Sequence, residues 1–281
     1  MIAPTTPQSA EPGIDPTIDH ALLDRGHVAL RVEGPVATVT LNRPQVHNAQ
    51  LPETWEALAH LGSRLPSTVR VVIVSGEGAS FSAGLDRSAF DRSPTALLGR
   101  LTLAPTAAAD EVIAGFQRAF SWLADPRFVS IAAVSGHAIG AGFQLALACD
   151  LIVVARDAQF RMAEVSLGLV PDLGGTARLV RSVGYQRALE ICATGRHVGA
   201  DEAVRIGLAL ACVPVDELDA AVADLTAALI ESPPEAVRAI TALMNQAQTN
   251  SPADQLAAER SAQIGLIGAM AKTAAKSAAK A

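Results

Sequence analysis

The sequence predicts an α/β core followed by an all-α end. Three observations lead there. Two stretches of alternating, β-branched residues flank Gly34-Pro35 and read as a hairpin. Short, almost continuous apolar runs then recur, of the kind that forms strands buried on both faces. Beyond Gly174 apolar residues recur mostly at helical spacing. The repeating order strand, strand, helix points to an α/β class with helices segregated at the end.

Each element follows from its own residues. Val28–Glu33 and Val36–Leu41 are the hairpin strands. Pro52–Arg64 is a helix, with Trp55, Leu58, Leu61 and Leu65 on one stripe. Residues 69–74 (VRVVIV) form a buried strand that Ser75-Gly76-Glu77-Gly78 closes. Residues 90–106, interrupted by Pro94 and Pro105, read as a mobile loop. Residues 110–123 are helical, with Asp110 as cap. A strand over 130–134, a helix over 140–148 and strands over Leu151–Ala155 and 159–162 follow. One more strand, over 212–215, interrupts the helical end. The domain reading is a flexible lead-in over 1–24, a core over 25–215, and a helical region over 216–281 with an Ala/Lys tail.

Composition narrows the function. Of 281 residues 50% are apolar and 18% charged, so a large core is available and overall disorder is excluded. The net charge of −6 argues against a nucleic-acid partner. Cys149, Cys192 and Cys212 show no ligand spacing, so neither a metal site nor a disulfide framework is expected, and free thiols in a reducing cytoplasm are. The most apolar stretch, 132–155, is broken by His137, Gln144 and Asp150, so no membrane span is expected. The N-terminus lacks the basic and apolar regions of a signal peptide. All three lysines, Lys272, Lys276 and Lys280, fall in the tail at four-residue spacing, which suggests a solvated helix. Leu218, Val222, Leu225, Leu229 and Ile230 crowd one C-terminal helix, more apolar surface than a monomer needs, so an oligomer is expected.

Three segments carry possible chemistry. Phe81-Ser82-Ala83-Gly84-Leu85-Asp86 and Ser135-Gly136-His137-Ala138-Ile139-Gly140-Ala141-Gly142 each lie between a strand and a helix. Such turns leave backbone N–H groups free, and two facing turns could hold one oxygen between two donors. The plainer alternative is that both are ordinary turns. A dinucleotide fingerprint fails because Leu145 stands where its last glycine belongs, and no phosphate-binding GxxxxGK or GxSxG elbow occurs. In the third segment Glu164 sits among Met162, Ala163, Val165 and Leu167, and Asp172 follows eight residues on. Desolvation should raise such a carboxyl toward the neutral range that proton transfer needs. The alternative is that Glu164 and Asp172 simply cap helices.

Taken together, these pieces resemble the crotonase superfamily, the enoyl-CoA hydratase/isomerase family. The resemblance runs through Leu41-Asn42-Arg43-Pro44, Asn48-Ala49 and the two glycine segments. It continues through Ala148-Cys149-Asp150, Phe160-Arg161-Met162-Ala163-Glu164, Gly168-Leu169-Val170-Pro171, Gly174-Gly175 and Ser232-Pro233-Pro234-Glu235-Ala236. It implies a spiral of strand-strand-helix turns with a C-terminal helical region that packs homotrimers or homohexamers. It also implies an acyl-CoA thioester as substrate, with no separate cofactor and no metal. The oxyanion-hole N–H donors would be Leu85 and Ala141. Asn48 and Ala49 would border the CoA entrance, and Ala83 and Asp86 would lie along the adenine.

One departure decides among the family's reactions. Family hydratases carry a glutamate at the position of Gln144 and another at Glu164, twenty residues later. Glutamine can bond a water but cannot take its proton. A single glutamate matching Glu164 serves the simple enoyl-CoA isomerases, and dienoyl-CoA isomerases add an aspartate that Asp172 matches. The resemblance therefore implies an isomerase, with Glu164 moving the proton, Asp172 assisting and Gln144 beside them. Its alternatives are a hydratase working with one glutamate and a non-catalytic acyl-CoA binder.

Overall fold

The computed structural model describes residues 18–91 and 93–278. The hairpin forms as its alternation demands. Strands β1 (Val28–Glu33) and β2 (Val36–Leu41) pair antiparallel, from Val28 opposite Leu41 to Glu33 opposite Val36. Every later strand of this sheet is parallel to its neighbour: β3 (Val71–Gly76), β4 (Val129–Val134), β6 (Leu151–Ala155) and β9 (Ala211–Val213). The order is β1-β2-β3-β4-β6-β9. All six residues of β4 are buried, as a central parallel strand covered on both faces requires.

Helices cover one face. Helix α2 (Pro52–Arg64) turns Trp55, Leu58 and Leu61 inward. Helix α4 (Thr106–Ser121) crosses it, with the Phe116 ring 4.6 Å from that of Trp55. Helix α5 (Ala141–Ala148) is buried along its whole length, and α6 (Gly175–Val183) and α7 (Tyr185–Thr194) pack beyond it. On the other face α9 (Leu218–Glu231) sets Leu218 and Val222 against Val71, Ile131 and Val153. Arg70 fastens that helix by donating to the carbonyls of Leu229, Ile230 and Ser232 at its open end. Helices α10 (Pro234–Ala247) and α11 (Pro252–Ala278) complete the chain.

A second sheet orders β5 (His137–Ile139), β7 (Gln159–Arg161) and β8 (His197–Gly199). Single bridges stitch loops onto this stack, Ser82 to Ala138 and Gln50 to Leu85. Successive turns of the chain therefore lie side by side, as the expected spiral of strand-strand-helix turns requires.

Several expectations need correcting. The lead-in ends before Asp24, because Asp19 caps helix α1 (His20–Arg25), which buries Leu23; residues 1–17 lie outside the described residues. The expected loop over 90–106 contains helix α3 (Leu97–Leu103), which buries Leu97. Asp110 caps nothing, since α4 begins a turn earlier at Thr106 after Pro105. Strands β5 and β8 lay hidden in a glycine segment and in the helical end. Helix α8 (Ala200–Arg205) follows β8 directly. In the tail Lys272 is exposed on α11, and Lys280 lies outside the described residues.

Candidate active site

The spiral brings the two glycine segments together. Ser82 donates its N–H to His137 O at 2.7 Å, and Ile139 returns one to Ser82 O at 2.9 Å. Gly84 takes a left-handed φ of +85°, and a Cβ there would stand 2.4 Å from Ile139 O and 3.4 Å from Ala141 N. Only glycine allows this approach. Among the described residues neither the Leu85 nor the Ala141 N–H has an acceptor. Gln50 uses the groups on either side of Leu85, its N–H reaching Gly84 O at 2.7 Å and its carbonyl accepting from Asp86 N at 2.8 Å. Ala141 is the first residue of α5, so its N–H points out of the helix end.

A buried polar network holds the first segment. Ser82 Oγ donates to Asn48 O at 2.8 Å and accepts from Gln50 Nε2 at 3.0 Å and Gly84 N at 3.2 Å. Trp55 Nε1 fixes Gln50 Oε1 at 2.7 Å. The sequence reading did not single out Gln50, Ser82 or Trp55 for this task; only the bridges between turns of the spiral reveal it.

The acidic candidates converge on the second segment. Glu164 opens a 3₁₀ turn, Glu164–Leu167, just after β7. Gly140, at φ +52°, lets its carboxylate close in, since a Cβ there would lie 3.2 Å from Glu164 Oε1. Gln144 is the one polar side chain of fully buried α5. It donates Nε2–H to Glu164 Oε1 at 2.8 Å, and its Oε1 accepts from Leu173 N at 2.9 Å and Gly175 N at 3.3 Å. Leaving such an amide unpaired would cost about 1–3 kcal/mol, so these bonds fix its orientation. Among the described residues the buried Glu164 Oε2 has no hydrogen-bond partner. Burial pushes the Glu164 carboxyl above its usual range; its own backbone N–H and Gln144 pull the other way, and the charge of Asp172 adds to the rise. Asp172 is surface-accessible, yet protein atoms crowd its carboxyl enough that desolvation raises its pKa too. Gln117 Nε2 pins the Asp172 carbonyl at 2.7 Å. Gly174, not Asp172, stands at the N-terminus of α6.

The expected entrance residues gather at the loop before α2. Asn48 is buried, and its amide is committed to Arg43 N at 2.8 Å, Glu77 O at 2.9 Å and Ser80 O at 2.6 Å. Arg43 spans Ala49 O at 2.8 Å and Asp86 Oδ2 at 3.0 Å. The Ser88 N–H, with the Ser88 hydroxyl and Arg43, holds the Asp86 carboxyl below its usual range. Ala83 is exposed between these residues and the donor pair. Among the described residues no cluster of three or more His, Cys, Asp or Glu side chains could hold a metal ion.

The family model for enoyl-CoA hydratase/isomerase matches residues 31–273. The chain belongs to this family. A Thermobifida fusca protein solved in complex with CoA is 44% identical, with a TM-score of 0.85 over 92% of this chain and 98% of that one. The short-chain-enoyl-CoA hydratase of Clostridium acetobutylicum is 33% identical over 225 residues, 77% of this chain and 80% of that protein. The carnitinyl-CoA dehydratase of Salmonella typhi is 37% identical over 212 residues, 74% and 76% of the two chains. As a crotonase-type enzyme, the chain holds the two glycine segments, Gln144 and Glu164 together in one site.

Proposed function

We propose that this enoyl-CoA hydratase/isomerase family member is an isomerase that shifts a double bond along an acyl-CoA thioester. The observation that carries the reading is the 2.8 Å bond between Gln144 Nε2 and Glu164 Oε1. Hydration needs a water held between two proton-transferring side chains. Here one of the two Gln144 amide N–H groups is committed to Glu164 Oε1 instead of to such a water. Gln144 also cannot turn its oxygen to that water, because Leu173 and Gly175 N–H groups hold it.

In the proposed reaction the thioester carbonyl sits between the Leu85 and Ala141 N–H groups, which stabilise negative charge on its oxygen as the enolate forms. Glu164 takes a proton from one acyl carbon through Oε2, the oxygen without a partner, and returns it at another. Its raised pKa brings it nearer the neutral range where a carboxyl both accepts and releases protons. Asp172 orients the chain or supplies a proton over a longer shift. Gln144 positions Glu164 and transfers no proton. Asn48, Ala49, Ala83 and Asp86 border the CoA, which arrives as part of the substrate, with no further cofactor or metal. We place the enzyme in the cytoplasm; among the described residues no helix is long and apolar enough to cross a membrane. Exposed Ile240, Met244, Ile264, Ile267 and Met270 on α10 and α11 support a homotrimer or homohexamer built through these helices; sedimentation as a stable monomer would contradict that.

The second reading is a hydratase with one working glutamate, favoured by the names of the relatives. Product analysis on 2-enoyl-, 3-enoyl- and 3,5-dienoyl-CoA thioesters separates the readings. Double-bond migration is expected. A 3-hydroxyacyl product as the main outcome supports hydration, and tight binding without turnover supports a non-catalytic binder.

A further inference from the structure

The Leu85 N–H belongs to the peptide unit that carries the Gly84 carbonyl. A trans peptide is a rigid plane in which these two groups point opposite ways. Whatever holds Gly84 O therefore aims the Leu85 N–H. The chain beside this plane is soft, because Gly84 sits at a φ of +85° and glycine rotates at little steric cost. A donor directed at a developing oxyanion needs a fixed direction. The restraint has to come from elsewhere in the fold.

Gln50 supplies it twice. Its main-chain N–H donates to Gly84 O at 2.7 Å. Its side-chain Nε2 donates to Ser82 Oγ at 3.0 Å, and Ser82 Oγ also accepts from Gly84 N at 3.2 Å. Both main-chain groups of Gly84 are thus tied to one residue. Trp55 sets the direction of the side-chain bonds. An indole N–H only donates. Trp55 Nε1 lies 2.7 Å from the Gln50 amide, so the amide oxygen faces the indole and the nitrogen faces Ser82. Ser82 accepts from Gln50 and Gly84 and gives its own proton to Asn48 O at 2.8 Å, which uses its one donor and two acceptors in full. Gln50, Ser82 and Trp55 are all buried inside one chain, so packing between copies neither forms nor breaks the relay. Filling this space needs no amide; an apolar side chain of the same length would do so without a buried polar group to satisfy.

We propose that Gln50, its amide oriented by Trp55 and linked through Ser82, is a positioning residue that keeps the Leu85 N–H directed at the thioester carbonyl. The proposal rests on the reading of Leu85 and Ala141 as the carbonyl donors, and it holds whether the enzyme isomerises or hydrates. The test is Gln50→Met, which keeps the length of the side chain and the main-chain bonds but loses the amide. The probe is hexanoyl-CoA labelled with carbon-13 at its carbonyl, which has no double bond to move. Isotope-edited infrared spectra of the bound thioester read how strongly the carbonyl is polarised. In wild type the carbonyl band should lie below that of the free thioester. In Gln50→Met it should move back toward the free position. On the enoyl-CoA that wild type turns over fastest, kcat should fall about tenfold, less than the loss of about 10²–10³ expected when a whole donor is removed. The affinity for CoA, which has no thioester carbonyl, should stay the same. Circular dichroism checks the fold. If Gln50→Met does not fold, Trp55→Phe, which leaves Gln50 and Ser82 in place, should move the band the same way by a smaller amount. The proposal is overturned if the folded variant keeps the wild-type band, even where kcat falls. A wild-type band that matches the free thioester would instead show that Leu85 and Ala141 do not hold the carbonyl, and the proposal would fall together with that reading.

Discussion

Replacing Gln144 by glutamate tests the roles assigned around Glu164. In the native site Gln144 Nε2 donates to Glu164 Oε1 at 2.8 Å, while Leu173 and Gly175 N–H groups hold the amide oxygen. In Gln144→Glu those two donors would still point at one oxygen and stabilise a negative charge there. The other oxygen would face Glu164 Oε1 without a proton between them. Two carboxylates relaxed to about 4 Å repel by about 4 kcal/mol at an effective dielectric of about 20, or roughly three pKa units. Glu164 is desolvated and would have lost its Gln144 donor, so it should take most of the rise. The pair would then titrate as a unit. With Glu164 protonated near neutral pH, isomerisation of a 3-enoyl-CoA should fall at least about tenfold, because the base is disarmed. The new carboxylate can take a proton from a water, which Gln144 cannot, so hydration of a 2-enoyl-CoA should rise at least about tenfold, within the usual span of general acid–base effects. Gain of conjugated-thioester absorbance from the 3-enoyl substrate and its loss from the 2-enoyl substrate, with chromatography of the products, read the two rates. If wild type already hydrates at a rate that Gln144→Glu does not improve, and isomerisation is unchanged, the argument from the missing carboxylate fails.

Other perturbations follow from the same geometry. Glu164→Gln should lower turnover by about 10²–10⁴ and leave acyl-CoA affinity nearly intact, as single-turnover rates and calorimetry would show. Because the folded pKa of Glu164 lies above its unfolded value, the native state loses stability as pH rises from the usual carboxylate range through the folded pKa. Glu164→Gln removes that loss, so denaturant titrations should show the variant gaining on wild type between pH 4 and pH 7, about the span over which such a group titrates; a gap that stays constant would contradict the linkage. Asp172→Asn removes a charge that raises the Glu164 pKa, so the acid limb of the pH–rate profile should move to lower pH, and a dienoyl substrate should suffer more than a one-carbon shift. Gly84→Ala would set a methyl 2.4 Å from Ile139 O and strain a left-handed residue, so the two donor segments must part. Turnover should fall by about 10²-fold or more, the scale of losing one donor of an oxyanion hole; a fully active Gly84→Ala would show that Leu85 and Ala141 do not act together.

Much of this fold is legible in the sequence, and what escapes has physical reasons. The hairpin and α2 match their predicted bounds because Pro52 and Arg64 punctuate a clear stripe and Gly34-Pro35 a clear turn. Strands β5 and β8 are three residues each, too short to show a period of two. Helix α3 is hidden because Pro94 and Pro105 bracket it closely. Glu164 stands out by its apolar neighbours, and Gln144 only through the family resemblance. Their mutual bond, and the hold of Leu173 and Gly175 on Gln144, join points 20, 29 and 31 residues apart, which local pattern cannot reveal. The same holds for Asn48, whose side chain bonds Arg43, Glu77 and Ser80, up to 32 residues away.

The most direct test of proton transfer between carbons without an added water uses heavy-oxygen water. Wild-type protein is incubated separately with a 2-enoyl- and a 3-enoyl-CoA, and the products are analysed by mass spectrometry. The 3-enoyl thioester should convert to its positional isomer with no heavy oxygen in the acyl chain, faster than any hydroxyacyl product forms from the 2-enoyl thioester. A 3-hydroxyacyl-CoA carrying heavy oxygen, formed faster than the double bond migrates, would contradict it.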